Sequence, residues 1–592
     1  MTPRAELPGG YEPVDLITWR RIRRYAVPGW MIEHATAHRL AGDWRAACAT
    51  AAFDVTFDPA DVASRYGASV AEALEDDLRH LAPDLLRWHL PRVLGGHTTI
   101  APGLRIVLAH YGQRPGSPRD PEAPVLSVTT SPMIGGPQRL RLHCAPLARR
   151  ELYALFGFPF TVEDWTAARF LWDARRSDGL RARFGGGGDG GRLPFFRADG
   201  STLDPAELPV DEPDPADRAA RAEWATLLQL AGGAAEACAA VGIERDLSLP
   251  PQHYYERPFD TGALLGGGPF DLTRLTDEVG HLGAAGAGHR FRFPRDGRTV
   301  ELTQDGLGPH GTFRARFIAR EQAKEVPLLP QYAWRRLPDL ELVRTGLITP
   351  QELHPLVTAS LFPGSGPFVP PPGPALPAPV RVRCRGEWHE VRSRGGVLEL
   401  PHTPEEQQRE RALRAFGGEV AGCFAVEQTW TTGHGRLPRA LRAEQQELFL
   451  RAQHGDTPAV VALLDAGVDP RIRDGGRRGL LHVLHQLDHE ELLPRLLDAG
   501  LDLEARDNEQ RTPLYATAVN GGSADLVRAF LAAGSRIDVI DHRGMSLSHV
   551  VRRYRSTDLD FLRQRVDEEH PGIGAAWWDR WIGEREMKVW QT

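Results

Sequence analysis

The chain is predicted to be an α+β multidomain protein: an N-terminal region that mixes helices with antiparallel sheet, followed by a C-terminal all-α repeat solenoid. Three observations carry that expectation. Over the first 360 residues the hydrophobic period alternates between the three-to-four-residue step of helices and the two-residue step of strands. Residues 362–379, FPGSGPFVPPPGPALPAP, have the composition of a stiff extended spacer. Near the C-terminus one phrase recurs three times: LLDAGVDPRIRD from Leu463, LLDAGLDLEARD from Leu496 and FLAAGSRIDVID from Phe530.

At 592 residues the chain exceeds what one core usually supports, so three or four domains are expected. The hydrophobic fraction of 41% and charged fraction of 25% are ordinary for globular protein. A net charge of −7 on this length supplies no electrostatic footprint for nucleic acid. Lys324 and Lys588 are the two lysines among 71 basic residues, and Ala, Gly and Pro abound. That bias points to a high-GC, actinobacterial genome rather than to phosphate-binding arginines. It also disfavours Schiff-base or phosphate-loop chemistry. Cys48, Cys144, Cys238, Cys384 and Cys423 are scattered with no CxxC pair, so neither a zinc ribbon nor a redox pair is expected. An odd, sparse set fits a reducing cytoplasm. The N-terminal thirty residues contain no apolar core of signal-peptide length, and no run approaches a membrane span.

Taken in order, residues 1–182 form a helical plus three-strand domain. Residues 14–90 carry helical periodicity; GLRIVLAHYG, PVLSVTTSP and QRLRLHC alternate as strands; helix is expected again over 146–182, with Thr161 and Asp164 of TVEDW as a cap pair. Residues 183–361 make a second α+β domain with flexible loops: the glycine run 185–191, an acidic proline-rich loop at 204–218, a helix near 216–241, strands HRFRFPRDGRTVELTQ and TFRARFIAR hinged at Asp296-Gly297, and helix over 337–361. After the 362–379 linker, residues 380–442 read as a strand hairpin and helix module. Its helix starts with Thr403 as cap, Pro404 in the first turn and Glu406 closing a capping box. Segments 140–157 and 398–417 share a strand, a proline-started helix and a Phe-Gly end, a faint sign of duplication.

Residues 443–570 carry the repeat, at spacings of 33 and 34 residues. Gly467, Gly500 and Gly534 are in phase; Asp474, Asp507 and Asp541 follow each by seven residues, and His482, Tyr515 and His549 by eight more. In the third copy, Thr512-Pro513 caps and opens a first helix, Asn520-Gly521-Gly522 turns the chain, and Gly534 ends the second helix. With RTPLY at this helix start, the segment resembles the ankyrin repeat family. The resemblance implies stacked helix pairs and projecting loops that bind a protein partner. By analogy with that binding face, Arg471, Arg473, Glu504, Arg506, Asn508 and Glu509 near the loop tips are the candidate partner-binding residues. Residues 571–592 are expected to form a Trp-rich helix, with Trp577, Trp578 and Trp581 capping the last repeat.

Searches for chemistry find little. His34 and His38 share a helix face in HATAH, but no glutamate directly follows the first histidine as HExxH requires. The glycine run lacks a following GK[ST], and FPGSGPF lacks GxSxG spacing. Phe195-Phe196 ahead of Ala198-Asp199-Gly200 fits a buried strand entering a turn better than a pocket floor, and Cys423 with His434 is a weak thiol–base pair. No catalytic, cofactor or metal residues are therefore expected. The preferred reading is a cytoplasmic adaptor or scaffold that binds a protein through the repeats, without nucleic acid or membrane. The alternative is an enzyme or toxin-type effector whose catalytic domain lies in 1–360 and is targeted by the repeats.

Overall fold

A computed structural model describes residues 11–580 except 96, 113–119, 148–159, 187–190, 251–260, 285, 296–297, 306–311, 376–377, 418–419 and 555–556. The hinge at Asp296-Gly297, the helical part of the 140–157 segment and Trp581 lie outside the described residues.

Helices Pro13–Tyr25, Gly29–Leu40 and Trp44–Thr50 lead into β1 (Phe53–Val55). Three more helices precede β2 (Leu104–His110), β3 (Val125–Thr129), β4 (Leu140–Ala145) and β5 (Thr161–Asp164). The sheet order is β1-β4-β3-β2-β5, and the outer strands β1 and β5 pair in parallel with β4 and β2. Two expectations are corrected here. The sheet is mixed rather than antiparallel. Thr161–Asp164 is a strand, not a helix start: its register against Leu104–Val107 outweighs the local capping signature, and Asp164 Oδ1 accepts the Thr166 N–H in a turn after the strand.

The same plan recurs downstream. Helices Arg218–Leu230 and Ala234–Ala240 lead into β6 (Ile243–Asp246), then helix Leu272–Ala284, then β7 (Arg290–Arg295), β8 (Arg298–Asp305) and β9 (Thr312–Ile318). β6 pairs in parallel with β9, as β1 does with β4. The sequences agree at the helix pairs: Leu40-Ala41-Gly42 and Ala47-Cys48-Ala49 match Leu230-Ala231-Gly232 and Ala237-Cys238-Ala239. Cys48 and Cys238 are both buried where helix meets core.

The proline-dense stretch opens on a turn in which Ser365 N–H donates to Phe362 O; further on, Val369 N–H donates to Gln351 O and Pro372 O accepts from Arg451. Beyond it, β10 (Val380–Cys384), β11 (Glu387–Arg394) and β12 (Val397–Glu399) form an antiparallel meander. Helix Pro404–Ala415 follows with both bonds of the Thr403–Glu406 capping box in place. Helix Gly422–Thr432 then leads to four helix pairs: Arg439–Gln453 with Thr457–Asp465, Leu480–Val483 with His489–Asp498, Pro513–Val519 with Ala524–Ala532, and Leu547–Tyr554 with Asp560–Glu569. One hydrophobic core runs continuously from Val380 of the meander through these pairs to Trp578. A separate core joins residues of 11–208 with 337–362.

Candidate partner-binding face

Each loop between helix pairs is a projecting finger, and its aspartate builds it. Asp474 Oδ1 accepts the N–H groups of Gly476 and Arg478 at 2.9 and 2.8 Å. Asp507 Oδ1 accepts those of Glu509 and Arg511 at 2.8 and 2.9 Å. Asp541 Oδ1 accepts those of Arg543 and Met545, both at 2.9 Å. A short carboxylate that can satisfy two amides of its own turn is what this position needs. Adjacent fingers are tied by backbone bonds, Asn508 N–H to Gly476 O and His542 N–H to Glu509 O, and the ladder continues through Ala575 N–H to Gly544 O. The phased residues eight places on bridge the same way. His482 Nε2 faces Arg511 O at 3.2 Å, and the Tyr515 hydroxyl donates to Met545 O at 2.9 Å. Burial lowers the His482 pKa to about 4, so its ring is neutral and Nε2 carries the proton it donates.

This threefold recurrence of glycine stop and aspartate finger, with a bridging ring in two of the copies, decides the family. Residues 448–541 match the family model of ankyrin repeats in three copies. They are ankyrin repeats. No curated protein matches the chain. At the C-terminal end, buried Trp578 donates to Arg543 O and stacks on the half-exposed Trp577. The tryptophans therefore close the ankyrin stack where the finger ladder ends.

The two edges of the repeats are used differently. The turns of the first two helix pairs face the N-terminal region. His454 Nε2 lies 2.8 Å from Thr98 Oγ1, Trp30 donates to Asp456 at 2.9 Å, and His485 and Gln486 both reach Gly135 O at 2.9 Å. Tyr25 donates to the Glu447 carboxylate, and Arg87 to His454 O. The finger tips stay in solvent: Arg471, Gly475, Arg506, Asn508, Gln510, His542 and Arg543 are exposed. Between the two edges lies a cleft of about 810 Å³, lined by Gln445, Gln446, Phe449 and Gln453 of the first inner helix, by Arg436 and Arg442, and roofed by Ile134 and Gly135. Two further cavities, lined wholly by residues of the first 344, measure about 50 and 30 Å³, room for a water or two.

The six residues singled out at the finger tips have mixed duties. Arg471 holds Asp469 in a two-pronged pair. Arg473 donates to Arg477 O and Arg506 O, tying two fingers. Glu504 accepts the Arg536 N–H, and the Asn508 side chain donates to Gly475 O. The Glu509 carboxylate pairs with Arg511. The Arg506 side chain projects into solvent.

Other candidates separate in space. His434 is exposed beyond the far end of the helix that begins at Gly422, so Cys423 does not have it as a base. His34 is exposed and His38 half-buried, and among the described residues no third ligand group joins them. Phe195 and Phe196 are buried, and Phe196 bridges Thr202 across the turn. What sequence reasoning missed is a convergence of Cys384, His389, His402 and Cys423. The ligand-type residues are spaced C-x4-H-x12-H-x20-C, outside the short pairs sought. The signal that could have found them is two cysteines and two histidines confined to one short module. No helix of the described residues is long and apolar enough to cross a membrane.

Proposed function

We propose that this protein is an adaptor that holds a protein partner on its ankyrin fingers and inner-helix cleft, while the opposite edge of the repeats is committed to its own N-terminal region. The observation that carries the reading is this division of edges. Helix turns are occupied from within the chain by Trp30, Thr98 and Gly135, whereas finger tips and cleft remain open. Ankyrin repeats generally serve as protein-binding modules, and a polar cleft with an aromatic floor, here Phe449, suits an extended peptide segment. Arg436, Arg442 and Arg478 outnumber Asp474 in the lining, and that carboxylate is already paired with Arg478 at 2.7 Å. The favoured segment is therefore acidic. Arg471, Arg506 and Asn508 supply polar contacts at its rim. The free cysteines fit a reducing compartment such as the cytoplasm.

The test is affinity capture by the full chain from its native cells, followed by crosslinking to map the contact. Arg442→Glu and Arg506→Glu should each weaken capture of the same protein by about tenfold or more if the contact is desolvated. Arg528→Glu, on an outer helix, should leave it unchanged. Crosslinks that map to the outer helices, or capture indifferent to both cleft and finger variants, would sink the reading.

A further inference from the structure

Among the described residues one group gathers metal-ligand atoms: Cys384, His389, His402 and Cys423, all within 4.8 Å of one another. Cys384 ends β10, His389 lies on β11, His402 precedes the helix capped by Thr403, and Cys423 sits in the first turn of helix Gly422–Thr432. Four separate elements thus deliver one side chain each to a common point.

Three of the six edges between these atoms have the lengths of a coordination tetrahedron. His389 Nδ1 and His402 Nε2 are 3.3 Å apart; Cys384 Sγ to His402 Nε2 and Cys423 Sγ to His389 Nδ1 are each 3.6 Å. A zinc ion bound at about 2.0–2.1 Å by nitrogen and about 2.3 Å by sulfur sets tetrahedral edges of about 3.3–3.4 Å between nitrogens and about 3.6 Å between nitrogen and sulfur. Hydrogen bonding alone does not account for the arrangement. His402 Nε2 faces both a sulfur and a second ring nitrogen, and His389 Nδ1 does the same, yet one imidazole nitrogen has one proton or one lone pair to offer.

The surroundings support the ligands. His402 Nδ1 lies 3.3 Å from Glu406 Oε2, a carboxylate that also accepts the Thr403 N–H. That contact fixes the tautomer with Nε2 aimed, unprotonated, at the cluster. His389 Nε2 has the Glu387 carboxylate at 3.9 Å. Gly422 holds φ +62°, and a Cβ there would lie 2.5 Å from Cys384 Sγ, so the residue before Cys423 must be small for the two cysteines to approach. Arg385 and Gly386 both take positive φ in the two-residue turn that returns the chain from Cys384 towards His389. Both cysteines are buried, and the His402 and His389 side chains are 4% and 21% exposed, so the site is largely shielded from solvent.

We propose that Cys384, His389, His402 and Cys423 bind one zinc ion as a closed, structural site. Two thiolates neutralise the dication, and the two thiol protons leave to solvent on binding. Four protein ligands leave no open coordination position, which separates this site from a catalytic one. Its task is mechanical. The meander shares its apolar core with the repeats and its helix Pro404–Ala415 buries no residue, and small modules of that kind depend on a metal or a partner core. The module packs on the first ankyrin repeat, where Arg473 N–H donates to Trp430 O and Gly396 N–H to Gly467 O. The zinc module is thereby the N-terminal cap of the repeat stack, as Trp578 is the C-terminal one.

The experiment uses the full chain purified without chelator. Elemental analysis should find one zinc per chain, lost in Cys384→Ser and Cys423→Ser and kept in Cys144→Ala. Because the serine variants can misfold, a second measurement uses the wild-type protein. Exchange of zinc for cobalt(II) should produce the intense visible absorption of a tetrahedral thiolate site, and chelation should expose two further thiols to a thiol reagent and lower the melting temperature. A chain that takes up neither zinc nor cobalt, zinc content unchanged in the Cys384→Ser/Cys423→Ser double variant, or a Cys384–Cys423 disulfide found by mass spectrometry of the unreduced protein would each overturn the proposal.

Discussion

Glycines at identical places in the repeat do not carry identical burdens. Gly467, Gly500 and Gly534 each end a second helix with positive φ, at +96°, +78° and +96°. For an L-residue that conformation costs about 1–2 kcal/mol by itself. At Gly500 and Gly534 an added Cβ meets nothing within 4 Å, so strain is the whole cost. At Gly467 it would lie 2.7 Å from Gly395 N and 3.2 Å from Arg394 Cα, backbone atoms of the turn between β11 and β12. That turn has to move. Gly500→Ala and Gly534→Ala should each lower unfolding free energy by about 1–2 kcal/mol. Gly467→Ala should cost clearly more, because it also pushes the meander away from the first repeat. Denaturant titration of the three variants measures this; equal losses would mean that Gly467 packs no differently from its counterparts.

At the scale of the element, the finger rests on one carboxylate. Asp507→Ala leaves the amides of Glu509 and Arg511 without the acceptor they share. A loss of about 1–3 kcal/mol is expected, with much of it restored by Asn, whose carbonyl oxygen can take the same place. Faster hydrogen exchange at those two amides in Asp507→Ala is the direct readout, and unchanged exchange would refute the role. The finger was legible in the sequence because its logic is local: glycine stop, aspartate turn and bridging ring recur in a fixed phase. The Thr403–Glu406 box was legible for the same reason. Thr161–Asp164 was misread because pairing with β2, a contact between residues far apart in the chain, decides its conformation. The Cys384, His389, His402 and Cys423 cluster was hidden for a related reason. Its ligands come from a strand end, a strand, a loop and a helix start, so no short spacing marks them. The repeated helix pair around Cys48 and Cys238 was present in the letters, but its agreement is confined to a few small residues, and only the parallel β1–β4 and β6–β9 pairings make it plain.

For the whole molecule the decisive contact is the seam between the repeats and the N-terminal region, because it fixes which repeat edge a partner can reach. Two neutral histidines hold that seam. His454 sits against Thr98, with Arg87 and Arg92 close by; burial, then these two cations, keep its pKa well below 6.5. His485 sits against Gly135 O, and burial brings its pKa down from 6.5 to about 4; the bond to Gly135 O opposes that fall and the Arg478 charge adds to it. In the unfolded chain both rings take up protons near 6.5, whereas the folded seam resists them. The unfolded state therefore binds more protons below that value, and stability must fall as pH falls. The contribution is whole above pH 6.5, and the His485 share is lost between 6.5 and about 4. Buried Glu163, raised by desolvation from 4.5 to about 7, runs in the opposite sense and masks part of the effect in a whole-chain melt. The clean measurement is a difference. His485→Gln keeps a donor for Gly135 O without the titration, so its melting temperature should drop less than that of the wild type between about pH 7 and about pH 5. Over the same range, wild-type repeats should become more sensitive to proteolysis at the turns around His454 and His485, and the variant less so. Parallel melting curves for the two proteins would show that the seam does not titrate.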